Sequence, residues 1–439
     1  MTKKILFLMF ALVAIATTAG AQRGVAINST NFPDAFFRNF VSSKSIDTDR
    51  DGYLNPTEIA AVTTMFVNDQ SITNLKGVEH FTALTKLVCY NNRLTSLDVS
   101  KNTKLTEFSC FNNQLTSLDL SQNTELYQLG CDNNQLTSLD LSKNTALTQL
   151  SCSSNSLTSL DLSNNTALTK LDCYNNPLTS LDVSNNTALE RLYCWVNPLT
   201  SLDVSKNTAL TTLWCYNNQL TSLDVSGCTA LTKLDCFNNP LTSLDLSKNT
   251  ALTWLDCNSN DLTSLDVSKN TKLSTLYCYN NDLTLLDLSQ NTKLYQLACY
   301  NNQLTSLDLS NNTALTQLDC YGNQIKGDKM QVLVNSLPTK LWTWISQGQF
   351  YVINTKNSNE GNVITKSQVA IAKDKGWTVY DWNGGSAVEY EGSDGTMGIG
   401  GVEADGLDKA AWYTLDGKKI SGEPTRKGVY IYKGRKVVK

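Results

Sequence analysis

The sequence predicts a solenoid of stacked short repeats carrying a different module at each end, and three observations support this. Twelve cysteines recur every 21 residues, from Cys89 to Cys320. Around each of them stands the same skeleton of leucines with an asparagine three residues after the cysteine. Motif and composition then change before residue 62 and after residue 325. A unit of 21 residues cannot bury its own apolar face, so it must stack on its neighbours, and ordinary stacks expose one long continuous surface. A chain of 439 residues is also too long for one compact core, and a stack with terminal modules accounts for the length. The expected division is a leader at 1–21, a helical module at 22–61, repeats at 62–325, an α/β module at 326–390, a linker at 391–406 and a β-rich tail at 407–439.

The first residues read as an export signal. Lys3 and Lys4 make a basic start, Ile5 to Ala16 is apolar, and Ala19, Gly20 and Ala21 form a small-residue cleavage site. Cleavage is expected after Ala21. The apolar run is short for a bilayer, and the chain has no other long apolar segment, so no membrane span is expected.

The segment from Asp47 to Glu58 (DTDRDGYLNPTE) resembles the EF-hand loop, with Asp at positions one, three and five, Gly at six, an apolar residue at eight and Glu at twelve. Gly52 permits the sharp turn while oxygen donors converge. The resemblance implies a structural Ca2+ held by Asp47, Asp49, Asp51, the Tyr53 carbonyl, Glu58 and, through water, Asn55. Phe36, Phe37, Phe40 and Val41 give an amphipathic helix before the loop, and a second helix starts at Thr57. Val62, Met65, Val67, Ile72 and Leu75 match the repeat skeleton and form a degenerate first unit, so the helical module is expected to cap the stack and protect its edge.

The unit beginning at Leu84 reads L-x-x-L-x-C-x-x-N-x-L-x-x-L-D-[VL]-S-x-N-T-x and recurs from Leu105 to Leu294, with a half-unit at Leu315. Positions four and six alternate inward, which is strand periodicity. The Asn at position nine, from Asn92 to Asn323, fits a stacked column that satisfies backbone groups in a turn. Neighbouring strands lie about 4.8 Å apart with parallel Cβ vectors, while a disulfide needs about 3.8 Å between Cβ atoms and a twisted dihedral. The cysteines are therefore expected to form a reduced, buried ladder. Cys228 stands where other units place Asn, either as a tolerated substitution or as the most reactive thiol. The Asp column from Asp98 to Asp308 reads as turn caps with the neighbouring serines. This repeat resembles the leucine-rich repeat, and within that family the 21-residue cysteine-ladder type of internalin J-like bacterial surface proteins.

Positions three, five and seven are expected to point outward on the concave side. Position seven is aromatic in nine of twelve units. With positions three and five it builds a patch of Tyr193, Trp195, Trp214, Tyr216, Phe237, Trp254, Tyr277 and Tyr279, interleaved with Asp172, Asp235, Asp256, Asp319, Lys170, Arg191 and Lys233. Outward aromatics are the usual anchors of interfaces, although stacked rings also pair between neighbouring strands.

After Cys320, Asp328 to Ser336 reads as a helix, Phe350 to Asn354 as a strand, Thr365 to Gln368 as a capping box opening a helix that Gly376 ends, and Trp377 to Trp382 as a strand. The tail reads as two hairpins turning at Asp416-Gly417 and Lys433-Gly434. Its Y-x-L-D-G-K, K-G-V-Y-I and K-V-V-K pieces resemble the C-terminal sorting domain of type IX secretion substrates, which implies an outer-membrane secretion machinery as partner and display at, or release from, the cell surface.

A formal net charge of -4 gives no basic footprint for nucleic acid. One histidine, His80, argues against Ser-His-Asp, Cys-His and zinc chemistry. A carboxylate-only glycosidase would need two acids facing each other in a cleft, and no enzymatic function is expected. The expected function is an exported adhesin that binds a host or neighbouring-cell protein through the concave patch. The alternatives are a binder of mucin-type glycan and a structural, self-associating surface protein.

Overall fold

The computed structural model describes residues 24–340, 347–394, 412–413, 419–425, 429–432 and 435–438. The expected leader, most of the expected linker and the two expected tail turns lie outside these residues. Twelve solenoid turns follow one another at 21 residues each. Each opens with a three-residue strand, from Lys86–Val88 to Gln317–Asp319, preceded by one more strand at Thr64–Phe66. All pair in parallel and in register, so Leu213 sits between Leu192 and Leu234.

One face of every turn is closed by the same residues. In the second turn Leu105, Phe108, Cys110, Leu115, Leu118 and Leu120 are buried, and their counterparts make one uninterrupted core along the stack. All thirteen cysteines are free and buried. Cys228 is fully buried with the others, its Sγ 3.4 Å from the Val204 carbonyl, so of the two readings it is the tolerated substitution that holds: a smaller inward group replaces an inward Asn.

Three columns of polar side chains complete the frame. At position nine, Asn113 Nδ2 donates to the carbonyls of Cys89 and Cys110 while its Oδ1 accepts from Leu94 N, and the pattern repeats along the stack. A second column, Asn102 to Asn312, ties each turn to the one before, as Asn123 does to the carbonyls of Val99 and Asn102. The Asp column caps turns on the outside, as in Asp98 Oδ1 accepting from Ser100 N at 2.9 Å. Position eight is left-handed throughout, held by Asn in most turns (Asn91, φ 53°).

Before the stack, a helix at Ala35–Val41 is N-capped by Asp34, whose Oδ1 accepts from the N–H groups of Phe36 and Phe37. Its Oδ2 accepts from Thr73 N and Oγ1, which ties the helix to the first, degenerate turn. A second helix, Pro56–Ala61, has a capping box of Asn55 and Glu58. Between them Tyr53–Leu54 pairs antiparallel with Val25–Ala26.

After the regular turns the sheet continues through Gly348–Ile353 and Trp377–Asp381 in parallel and ends on Val388–Glu389, antiparallel. Helices Asp328–Ser336 and Lys366–Asp374 lie where their sequence patterns placed them, the second opened by the Thr365–Gln368 capping box. The repeat logic outlasts its sequence signature here. Phe350 pairs with Leu318 in the leucine column, and Asn362 donates to the carbonyls of Cys320 and Val352 as a column Asn does. In the tail, Trp412–Tyr413, Lys419–Ile420, Val429–Tyr432 and Arg435–Val438 form an antiparallel sheet in which the second strand lies outside the first.

Candidate functional site

Strand alternation sends positions three, five and seven to the concave face, so side chains at one position in successive turns stand one above another. At position seven this makes a continuous stack of Tyr174, Trp195, Tyr216 and Phe237, with ring centroids 3.9, 5.2 and 4.4 Å apart and planes within 12° of parallel. At position five, Tyr193 stacks on Trp214 at 4.5 Å, and Trp214 tilts against Trp195 at 5.5 Å. Trp254 meets Tyr277 edge to face at 6.2 Å. A second stack runs Tyr279, Tyr300, Tyr321 and on to Trp382 in the C-terminal module. Neighbouring rings thus do pair across strands, and all eight patch residues also remain half-buried, with part of each ring facing solvent.

Not every outward position is open. Thr212, Asp235, Asp256, Thr275 and Ala298 point to the concave side but are buried; four of them have a large ring in register on a neighbouring strand, Trp214 beside Asp235, Trp254 beside Thr275, and Tyr277 beside Asp256 and Ala298. Asp235 and Asp256 are in register on neighbouring strands and are only 7% and 8% exposed. Burial pushes the Asp235 carboxyl up to about 8, with help from Asp256, and pushes Asp256 up to about 6. Asn258 breaks the position-seven stack at this level and hydrogen-bonds Asp256. Burial also holds Asp172 and Asp319 at about 6. Lys170 and Arg191 counter the rise at Asp172.

Beside Trp195 the turn carries a feature that the sequence reading missed. Val196 occupies the left-handed position, φ 52°, and is 39% exposed. A β-branched side chain is strained there, and every other turn uses Asn, Ser or Gly. The signal was present in the sequence as the one valine in an Asn/Ser column, but the left-handed backbone that gives it meaning was not.

In the N-terminal loop, Asp47, Asp49 and Glu58 bring carboxylate oxygens within 4.8 Å of one another. Asp47 is buried and its Oδ1 has no hydrogen-bond partner among the described residues. Gly52 is left-handed, φ 81°. The other sequence-predicted ligands lie in the same loop. Asp51 is exposed and accepts from Tyr53 N, Asn55 caps the second helix, and Tyr53 opens the short strand. Glu58 accepts from Thr48 N and Oγ1 and from Asn55 N, which lower its pKa against the opposing effect of burial.

Parallel in-register strands, a cysteine column and an Asn-lined turn define a leucine-rich-repeat solenoid with an open concave face. The family model for leucine-rich repeats (two copies) matches residues 187–226 and 208–249. Internalin J of Listeria monocytogenes is 42% identical over 89 residues, which is 20% of this chain and only 10% of that relative's length. The functional domain of internalin J from L. monocytogenes, whose structure includes a cysteine ladder, is 37% identical over 72% of this chain and 80% of that chain, with a TM-score of 0.56. An internalin (inlF) of the same species is 25% identical over 72% and 96%, with a TM-score of 0.63. YopM of Yersinia pestis, 23% identical with a TM-score of 0.53, shares the fold. The chain belongs to the leucine-rich-repeat proteins of the cysteine-ladder type, related to Listeria internalin J. These relatives are internalins and leucine-rich-repeat proteins rather than a catalytic family. Among the described residues, no helix is long and apolar enough to cross a membrane.

Proposed function

We propose that this chain is an exported adhesin, displayed at or released from the cell surface, that holds an extracellular protein through its concave aromatic patch. The observation that carries this reading is the Tyr174–Phe237 stack with Tyr193 and Trp214 beside it, a preformed, half-exposed aromatic surface on a rigid sheet. Rings that already support one another lose little freedom when a partner covers them, so their remaining surface contributes to affinity at small entropic cost. Strain retained at exposed Val196, at the edge of this stack, is the kind of local expense that clusters at binding sites.

Ca2+ suits the N-terminal loop: a buried carboxylate oxygen without a partner, two further carboxylates within reach and a left-handed glycine at the sharp turn. Asp47, Asp49 and Glu58 would hold it, and its role would be to clamp the helical module onto the stack. The leader and the tail would direct export, the tail through outer-membrane secretion machinery.

The test is binding of the full chain to an array of extracellular proteins, beside the Trp195→Ala/Trp214→Ala double variant. The reading expects a protein ligand whose capture the double variant abolishes. Capture that survives it, or no capture by the unaltered chain, overturns the reading.

A further inference from the structure

The position-seven ladder is interrupted for two consecutive turns, at Asp132 and Ser153, between Phe111 and Tyr174. Three strand spacings separate those rings, ~14 Å, where a continuous ladder would hold two more. The gap is real space. A cleft of about 260 Å³ lies over Gly130, Asp132, Ser151 and Asp172, and it opens into a hollow that reaches both aromatic walls. Gly130 makes the floor. It is the only glycine at position five, and a Cβ built there would meet nothing closer than 3.6 Å. Glycine weakens a strand, and in a strand interior it commonly marks a place where a ligand comes close to the backbone.

The polar groups here are arranged rather than scattered. Asp132 is half-buried and accepts from Ser151 Oγ and, at 2.9 Å, from Ser153 N. Ser153 contributes its backbone N–H here, and its side chain, in the second missing rung, is fully buried. Gln128, Gln149 and Lys170 complete the lining. Two carboxylates, Asp132 and Asp172, are balanced by Lys170 and the neighbouring Arg191, so the cleft as a whole offers acceptors and donors without favouring an ion of either sign. Its volume lies below that of sites for drug-sized ligands.

We infer that the cleft between Phe111 and Tyr174 is a binding site for one neutral hexopyranose ring of a glycan. The C–H face of the ring lies against an aromatic wall, and its hydroxyls meet Asp132, Asp172 and the two glutamine amides. Vicinal hydroxyls need several convergent acceptors and donors next to a flat apolar surface, and this combination distinguishes the cleft from the central patch, where rings occupy the same levels. The inference uses none of the eight patch residues and shares only Tyr174 with the stack that carries the protein partner proposed above.

The experiment is ligand-observed NMR on the full chain with a panel of methyl glycosides of the common neutral hexoses and N-acetylhexosamines. It is run on the unaltered protein, on Gly130→Phe, which fills the floor, on Asp132→Asn, and on Trp195→Ala/Trp214→Ala. The expected result is binding of at least one glycoside that Gly130→Phe removes, that Asp132→Asn weakens by about tenfold or more, and that the double Trp variant retains. Thermal melts check that each variant folds, and Asp132→Asn keeps the test decisive if Gly130→Phe does not. Silence across the whole panel, binding indifferent to Asp132→Asn in a folded variant, or binding lost only with the tryptophans each overturns the inference.

Discussion

Replacing Val196 by Asn should make the protein more stable and its concave face less able to hold a partner. Val196 has φ 52° in a column of left-handed residues that elsewhere are Asn, Ser or Gly. Placing a β-carbon in that conformation costs about 1–2 kcal/mol, and more for a β-branched residue than for Asn, whose short amide suits it. The column also forms a ladder of side-chain hydrogen bonds: Asn112 donates to Asn91 at 2.6 Å, Asn238 to Asn217 at 2.6 Å and Asn301 to Asn280 at 2.8 Å. Val196 interrupts that ladder between Asn175 and Asn217. An amide there could accept from Asn217 and donate to Asn175, adding about 0.5 kcal/mol for each exposed bond. The sum is a gain of about 2 kcal/mol. Equilibrium urea unfolding followed by far-UV circular dichroism measures it as a higher midpoint at an unchanged slope. Capture of any array ligand that depends on Trp195 should weaken in the same variant, because the exposed isopropyl group beside that ring is gone. A midpoint that stays or falls would refute the strain argument, and a gain in stability with capture unchanged would separate Val196 from the binding face.

The remaining expectations concern charge, metal and thiols. Asp235 and Asp256 have folded pKa values raised to about 8 and about 6 by burial, so their contribution to stability is fully present below the ordinary value near 3.8 and is lost as pH rises through about 6 and then about 8. The unfolding midpoint should therefore decline from pH 5 to pH 9, and Asp235→Asn/Asp256→Asn should flatten that decline; a midpoint in the unaltered protein that climbs over this range would refute it. The turn-capping aspartates, such as Asp98, are lowered by their serine hydrogen bonds, and their contribution is lost only in acid. Adding Ca2+ should raise the melting temperature and slow protease cleavage between residues 24 and 61, and Asp47→Ala should abolish both effects; identical melts with Ca2+ and with chelator would remove the metal from the loop. A thiol reagent should label none of the thirteen cysteines in the native protein and all of them in urea, since every one is buried and burial raises their pKa values, Cys228 to about 11.

Much of the architecture was legible because the chain states it twelve times. A period of 21 with inward residues at positions four and six leaves one way to stack, and the in-register parallel strands, the buried cysteines and the Asn column follow from it. The helices Asp328–Ser336 and Lys366–Asp374 were also legible, since capping and periodicity are local properties. The final pseudo-turn built on Phe350 and Asn362 was not, because a loop and a helix interrupt its pattern in the sequence while the backbone preserves its register.

The sequence by itself determined which face of each turn is core, because apolar alternation acts within a single unit. Only the tertiary structure decided what happens on the opposite face, because exposure there depends on the side chains of the turns above and below. Asp235 and Asp256 look outward in the sequence and are covered by their neighbours. Gly130 looks like a minor substitution and becomes the floor of a cleft only because Asp132 and Ser153 leave two rungs of the ladder empty. Val196 looks like an ordinary valine until the backbone turns left-handed beneath it. Stacking fixes the surface only after the turns meet.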